Sequence, residues 1–132
     1  MLFIFNFTKN LKLIYMFSYS ITKKDTIHIL VLEGELIDKN QANEFIHEVS
    51  KIIISNHNKF VIDLSNLKYL NSNGLTILIQ TLTKARKSGG EVVIAHVSNR
   101  VNDLFIITKL NTVFTITGTV DDGIAILNKL SD

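Results

Sequence analysis

Residues 60–75 read FVIDLSNLKYLNSNGL, in which a strand-like run leads through a polar stretch into the start of a helical pattern. Phe60-Val61-Ile62 is a short, continuous apolar run, which is typical of a strand buried on both faces of a parallel sheet. Asn71-Ser72-Asn73-Gly74 is a run of small or polar residues with strong capping and turn preferences, and it directly precedes the apolar helical pattern from Leu75. The segment therefore predicts a buried strand whose exit loop opens a helix.

The residues before this segment predict a hairpin and a helix. Phe17 to Ile21 and Thr26 to Leu32 alternate apolar and polar residues on either side of a Lys23-Lys24-Asp25 turn, which indicates two antiparallel strands. Asn40 is the predicted N-cap of an amphipathic helix. The apolar residues that share one stripe of this helix are Ala42, Phe45, Ile46, Val49, Ile52 and Ile53.

The residues after it continue the alternation of helix and strand. The predicted elements are a helix from Leu75 to Ala85 closed by Gly89-Gly90, a strand from Val92 to Ala95, a helix capped by Ser98, a strand from Val113 to Ile116, and a last helix from Ile124 to Leu130 behind Thr119 and Asp122. Strands that alternate with helices predict an α/β domain. We expect a mixed, mostly parallel sheet of about five strands with about four helices.

The composition indicates one globular domain. The chain has 132 residues, of which 46% are hydrophobic and 20% are charged, a profile that a disordered chain does not have. It has no cysteine, which excludes disulfide scaffolds, zinc–cysteine sites and thiol catalysis and agrees with a cytoplasmic location.

The net charge is only +2, and the densest basic group falls at a predicted helix end. This group consists of Lys84, Arg86 and Lys87. We interpret this group as a complement to the helix dipole and expect no nucleic-acid binding.

The first residues of the chain differ from the rest. Met1 to Phe7 is strongly apolar, but asparagines and lysines from residue 6 to residue 12 interrupt the run far short of the ~20 apolar residues that a membrane-spanning helix needs. The segment also lacks the features of a secretory signal. We therefore expect residues 1–15 to be a dispensable N-terminal extension, residues 16–132 to form the domain, and no membrane insertion.

The sequence contains little that points to catalysis. The histidines have no metal-ligand spacing, and there is no G-x-S-x-G elbow and no Walker A loop. Asp63 is expected to accept backbone hydrogen bonds in the turn after its strand, and His28 is interpreted as a solvated histidine. We therefore predict that the protein is not an enzyme and needs no metal or other cofactor.

Ser72 is the residue best placed for a functional role. It lies where a buried strand leads into a helix, and sheets of this type place ligands at the carboxyl ends of their strands. The simpler alternative is that Ser72 or Asn73 caps the helix, which contributes about 1 kcal/mol. Both interpretations can hold together, because a capping serine still presents a hydroxyl.

Several motifs, in their order and spacing, resemble the STAS family, which sulphate transporters and anti-sigma-factor antagonists share. The stretch from Phe60 to Leu75 is similar to that family's Asp-Leu-Ser strand end followed by an Asp-Ser-Ser-Gly-Leu loop. The other matching motifs are Leu32-Glu33-Gly34-Glu35-Leu36, Gly89-Gly90-Glu91 and Thr119-Val120-Asp121-Asp122. The resemblance extends over residues 16–130 and implies a single STAS-like domain.

The resemblance also implies a role for the loop. Ser72 aligns with the serine that a partner anti-sigma factor, a serine kinase resembling histidine-kinase-type ATPases, phosphorylates in the antagonists; a serine phosphatase would reset it. The implied function is an anti-sigma-factor antagonist switched at Ser72. Asn71 and Asn73 stand where the family has Asp and a second Ser, which removes a charge beside the hydroxyl and leaves Ser72 as the only hydroxyl of the loop. The expected partner-binding residues are Asp38, Asn71, Ser72, Asn73, Gly74, Leu75 and Thr76.

The same family leaves a second function open. A STAS domain can serve as an unmodified adapter, for example in a lipid-transport ATPase complex or a stress-sensing assembly. That role needs the same fold and a similar binding surface, but no phosphate on Ser72.

Overall fold

One mixed β-sheet organises the part of the chain that the computed structural model describes, residues 16–130. Its elements are β1 (Phe17–Lys24), β2 (Ile27–Leu36), α1 (Asn43–Ile54), β3 (Lys59–Leu70), α2 (Ser72–Lys87), β4 (Glu91–Ala95), α3 (Asn99–Ile107), β5 (Thr115–Thr117) and α4 (Val120–Lys129). The α/β class and the expected numbers of strands and helices are confirmed for these residues. The N-terminal extension expected for residues 1–15 lies outside them.

The strand order explains why the sheet is mixed. The strands lie in the order β1-β2-β3-β4-β5. β1 and β2 pair antiparallel through a tight turn, as the hairpin pattern predicts, whereas every later pair is parallel because a helix crosses between its strands. Parallel crossovers are right-handed, so three successive crossovers in the same direction place α1, α2 and α3 on one face of the sheet.

The core has two layers that lie on opposite faces of the sheet. Phe60 and Ile62 belong to the larger layer, into which α1, α2 and α3 pack, and Val61 belongs to the smaller layer beneath α4. The interpretation of Phe60-Val61-Ile62 as a strand buried on both faces is therefore confirmed. Gly123 lets α4 approach this strand closely, because a Cβ there would lie 3.2 Å from a Val93 methyl and 3.3 Å from a Val61 methyl.

β3 is much longer than the short strand that the apolar run predicts. It continues to Leu70 because β2 pairs with it as far as Leu36 opposite Leu70, whereas β4 stops at Ala95 opposite Asp63. Two register shifts between β2 and β3 accompany this extension. Asp63 accepts a hydrogen bond from the Ser65 N–H at 2.9 Å, as expected, but within the strand and not in a turn after it. The paired ends of β2 and β3 thus project beyond β4.

The entry to α1 differs from the prediction. Asn40 is not the N-cap, because the chain first forms a short 3-10 turn over Lys39–Ala42, and α1 begins only at Asn43. Asp38 caps this turn by accepting from the Asn40 N–H at 3.0 Å. Gln41 completes a capping box, since its Oε1 accepts from the N–H groups of Ile37 and Asp38, each at 2.9 Å. The predicted caps Ser98 and Thr119 are confirmed.

The basic group that the sequence places at a helix end occupies the last turn of α2. Arg86 also has a tertiary role, because its Nε lies 2.9 Å from a Glu91 carboxylate oxygen and its Nη2 donates to the Val113 carbonyl at 3.2 Å. Arg86 therefore connects the end of α2 to β4 and to the segment before β5.

His28 is not the solvated side chain that the sequence suggests. Its ring lies between His57 and Phe60, with centroid distances of 5.2 and 6.0 Å. Its Nδ1 is buried and has no hydrogen-bond partner among residues 16–130. Burial, followed by repulsion from His57 and Lys23, lowers the pKa of His28 below its ordinary value of 6.5.

This lowered pKa predicts a loss of stability in acid. The unfolded chain binds a proton on His28 more readily than the folded protein does, so the free energy of unfolding falls as the pH drops below 6.5 and is unaffected by this group above it. When the pH is lowered from about 7.5 to about 5.5, the urea concentration at the unfolding midpoint should therefore fall less for His28→Gln than for the wild type. The exposed His47→Gln variant should follow the wild type. Equal falls for the wild type and His28→Gln would contradict this origin.

Candidate functional site

Asn71 ends β3 and caps α2. Its side-chain Oδ1 accepts from the N–H groups of Asn73 at 2.9 Å and Gly74 at 3.2 Å. The prediction that Ser72 or Asn73 caps the helix was therefore wrong, since Ser72 is the first helical residue. The extended backbone of Asn71, with φ −114° and ψ −164°, aims the side chain back at the first turn.

Two amide groups join this loop to the segment after β2. The side-chain Nδ2 atoms of Asn71 and Asn73 both donate to the Ile37 carbonyl, each at 3.1 Å. The Asn71 N–H also donates to the Leu36 carbonyl at 3.4 Å. Since Asp38 directly follows Ile37, these bonds bring the Asp38 turn and the Ser72 loop together at the tip of β2 and β3.

The Ser72 side chain is exposed on this tip. Its carbonyl accepts from the Thr76 hydroxyl at 3.0 Å, whereas its own hydroxyl has no hydrogen-bond partner among residues 16–130. The first turn of a helix presents N–H groups and the positive end of the helix dipole, so an anion on Ser72 would be favoured there. The site can therefore accept a negatively charged group on this hydroxyl.

The other expected contact residues divide into exposed and buried ones. Asp38 and Asn73 are exposed, and Asn71 and Thr76 are half-buried. Gly74 and Leu75 are buried, with only 4% of Leu75 exposed. The last two residues consequently hold the loop against the core and present almost no surface to a partner.

Gln41 is a further residue of the site, and its role was not predicted. Besides the two bonds that close the capping box, its Nε2 donates to the Glu35 carbonyl at 3.1 Å, so this side chain orients the Asp38 turn. The spacing of Asp38 and Gln41 is a capping-box signal that the sequence does contain. The guanidinium of Arg100 lies over the Tyr69 ring. This contact was not predicted, because α3 and β3 meet only in the folded chain and the sequence gives no local signal of it.

Within residues 16–130, no group of three or more histidine, aspartate or glutamate side chains could hold a metal ion. None of the helices there has the length and apolar character needed to cross a membrane.

Comparison with known proteins identifies the family. Residues 18–123 match the family model of the STAS domain, a segment that includes β2 to β5 and the Ser72 loop. The chain belongs to the STAS domain family. The resemblance carried by the loop motifs is thereby confirmed. Among curated relatives, BtrV of Bordetella bronchiseptica, a candidate anti-sigma factor antagonist, is 24% identical over 94 residues, which are 71% of this chain and 80% of BtrV.

Solved structures of anti-sigma factor antagonists share the STAS fold of this chain. An antagonist from Mycobacterium paratuberculosis superimposes with a TM-score of 0.73 at 23% identity, over 85% of this chain and 94% of that one. The antagonist SpoIIAA in its unphosphorylated form has a TM-score of 0.73 at 14% identity, over 87% and 100% of the two chains. The phosphorylated form of SpoIIAA, from Bacillus, has a TM-score of 0.65 at 14% identity, over 82% and 97%.

The hydrogen bonds of Asn71 predict a measurable loss when they are removed. Asn71→Ala eliminates both the cap acceptor and the amide donor to Ile37, and should lower the free energy of unfolding by about 1–2 kcal/mol. Asn71→Asp keeps the acceptor and loses only the donor, so its loss should be smaller. Urea unfolding measures both variants, with Asn128→Ala, on the exposed side of α4, as the control. Equal stabilities of Asn71→Ala and Asn128→Ala would contradict the assigned cap.

The position of Gly74 predicts a second effect on stability. A Cβ at this residue would lie 2.5 Å from the Leu36 carbonyl oxygen and 2.7 Å from the Leu70 Cβ, neither of which can move without shifting a strand. Helix propensity alone would favour Gly74→Ala by up to about 1 kcal/mol, but the crowding should reverse the sign and cost about 1–3 kcal/mol.

Gly118→Ala is the matched control, because a Cβ there meets no atom within 4 Å. Thermal unfolding should show a clear decrease of Tm for Gly74→Ala and little change for Gly118→Ala. A stabilised Gly74→Ala variant would show that α2 does not pack this closely on the ends of β2 and β3.

Proposed function

We propose that this protein is an anti-sigma-factor antagonist of the cytoplasm, which binds an anti-sigma factor with serine-kinase activity and is released when Ser72 is phosphorylated. The observation that carries the proposal is the exposed, unbonded Ser72 hydroxyl at the first turn of α2 in a STAS domain. The existence of SpoIIAA in unphosphorylated and phosphorylated forms supports it, because that protein has the same fold. The protein would act by binding and would catalyse no reaction of its own.

The local structure around Ser72 suits a phosphate. A phosphoserine carries about −1.5 to −2 charges at neutral pH. Asn71 satisfies the cap with an amide oxygen, so the capping residue itself adds no carboxylate beside the phosphate, as an aspartate at this position would. The dipole of α2 then stabilises the added charge. The folded domain therefore has no need to rearrange when it is modified.

The same phosphate would oppose binding at an interface centred on the loop. It adds bulk beside Asp38 and Asn73 and a charge that must lose its water on contact. A penalty of about 3 kcal/mol weakens binding more than a hundredfold, which is sufficient for a switch. The unphosphorylated protein would hold the anti-sigma factor and so leave a sigma factor free for transcription.

In the proposed switch, the kinase and the phosphatase supply all the reactive groups except the Ser72 hydroxyl. The partner kinase binds ATP and magnesium, the Ser72 oxygen attacks the γ-phosphorus, the bond to the β-phosphate oxygen breaks, and ADP leaves while a base of the kinase takes the hydroxyl proton. A serine phosphatase adds water to the phosphoserine and releases inorganic phosphate. This chain supplies only the acceptor, and it needs no cofactor.

Binding measurements with Ser72 variants test the proposal. The purified anti-sigma kinase from the same genome should bind the wild type and Ser72→Ala, whereas Ser72→Asp should bind at least about a hundredfold more weakly. Incubation with the kinase and ATP should add one phosphate to the wild type and none to Ser72→Ala, as intact-mass spectrometry would show. Ser20→Asp, an exposed change on β1, is the charge control and should bind normally.

The same measurements distinguish the adapter alternative. Kinase binding that is equal for the wild type and Ser72→Asp, with no phosphate transferred, would contradict the phosphorylation switch. Stable association of both the wild type and Ser72→Asp with a transporter or a stress-sensing assembly would then favour an unmodified STAS adapter.

A further inference from the structure

A groove lies between the end of β3 and α3, beside the Ser72 loop. It has a volume of about 280 Å³, and Tyr69, Leu70, Arg100, Leu104 and Ile107 are among the residues that line it. Leu70 is the residue directly before Asn71, so the groove is continuous in the chain with the loop that carries Ser72. It exists because β3 extends past β4 and leaves its last residues for α3 to pack against.

Arg100 places a cation at this groove. Its guanidinium carbon lies 4.8 Å from the centre of the Tyr69 ring, so a cation–π contact orients the side chain. No carboxylate oxygen among residues 16–130 lies within 4.0 Å of it, although Asp103 also lines the groove. An exposed arginine in a defined orientation can form a paired hydrogen bond with a carboxylate supplied by another molecule.

The groove also has an exposed apolar edge. Ile107, at the end of α3, is 76% exposed, and the neighbouring Ile106 is 52% exposed. Isolated apolar side chains on a surface are normal, but two in succession beside an apolar groove and an oriented arginine have the composition of an interface centre. Tyrosine and arginine are also the residue types that contribute most to binding in such centres.

The Ser72 loop by itself is too small to hold a protein partner. A stable interface covers about 800 Å² on each side, whereas the loop offers only the exposed side chains of Ser72 and Asn73, with Asp38 next to them. The interface must extend to neighbouring surface. Toward α1, the turn around Asp38 offers only polar exposed side chains, and the exposed face of α2 offers Ile79, which is 37% exposed. The α3 side, with Ile106 and Ile107, is the direction in which more apolar contact area is available.

We infer that the groove between β3 and α3 is the second part of the partner-binding surface and that it receives an acidic, apolar segment of the anti-sigma kinase. A carboxylate of the kinase would pair with Arg100, and an apolar side chain would pack between Leu104 and Ile107. This inference rests on the proposed function. It differs from the switch at Ser72 because the groove would contribute affinity whatever the phosphorylation state of the serine.

The experiment uses the purified kinase and unphosphorylated full-length protein. Arg100→Glu and Ile107→Ser should each weaken binding about tenfold or more. Arg100→Lys should lose less affinity than Arg100→Glu, since it keeps the charge but not the planar pair of donors. The matched controls are Lys87→Glu at the far end of α2 and Ile54→Ser, an 81% exposed isoleucine at the end of α1, and both should bind like the wild type.

The possible failures are distinguishable. If Arg100→Glu and Ile107→Ser bind like the wild type while Ser72→Asp does not, the groove is not part of the interface and the proposed function stands. If the wild type does not bind the kinase, both proposals are wrong. A change of oligomeric state in these variants, measured by sedimentation, would make the groove a contact between copies and overturn the inference. Urea unfolding identifies a variant that fails to fold, and the other substitution then provides the test.

Discussion

The Ile37 carbonyl is the point on which the site depends. Two side-chain amides, from Asn71 and Asn73, donate to this one oxygen. A carbonyl has two lone pairs, so both bonds can be made at full strength. They fasten the start of α2 to the chain that leaves β2, and they do so while the Asn71 oxygen caps the helix. Ser72 is thereby placed near Asp38 with an exposed side chain, which is the arrangement that the proposed partner binding and phosphorylation would both need.

The length of β3 decides where this arrangement lies. β2 and β3 continue together beyond the end of β4, so the loop is carried clear of the sheet and is open on the side of α3. The close approach at Gly74 lets α2 begin directly against these strand ends. A site built on paired strands and a helix end moves less than one on a free loop, so a partner meets a preformed surface and loses little entropy on binding.

The charges at the tip are compatible with the proposed phosphorylation of Ser72. The helix dipole favours a negative group on Ser72, and Asn71 caps without adding a competing carboxylate. The oriented Arg100 on the neighbouring groove is a cation without a carboxylate partner within the described part of the chain. In the proposed complex, a negative partner segment would pair with Arg100 and the phosphate would lie at the start of α2. The phosphate would then weaken binding chiefly through the water it would have to lose.

Local pattern alone was enough to establish the α/β class, the hairpin, the order of helices and strands, the caps Ser98 and Thr119, and Ser72 as the exposed hydroxyl. These features depend on residues a few positions apart, which composition and periodicity record directly. The pattern did not predict the full length of β3, Asn71 as the cap, the burial of Leu75 and of the His28 Nδ1 atom, or the contact of Arg100 with Tyr69. Each depends on contacts between segments distant in the chain, chiefly the pairing of β2 with β3 and the packing of α2 and α3 on them, and the free energy of those contacts outweighs local preference.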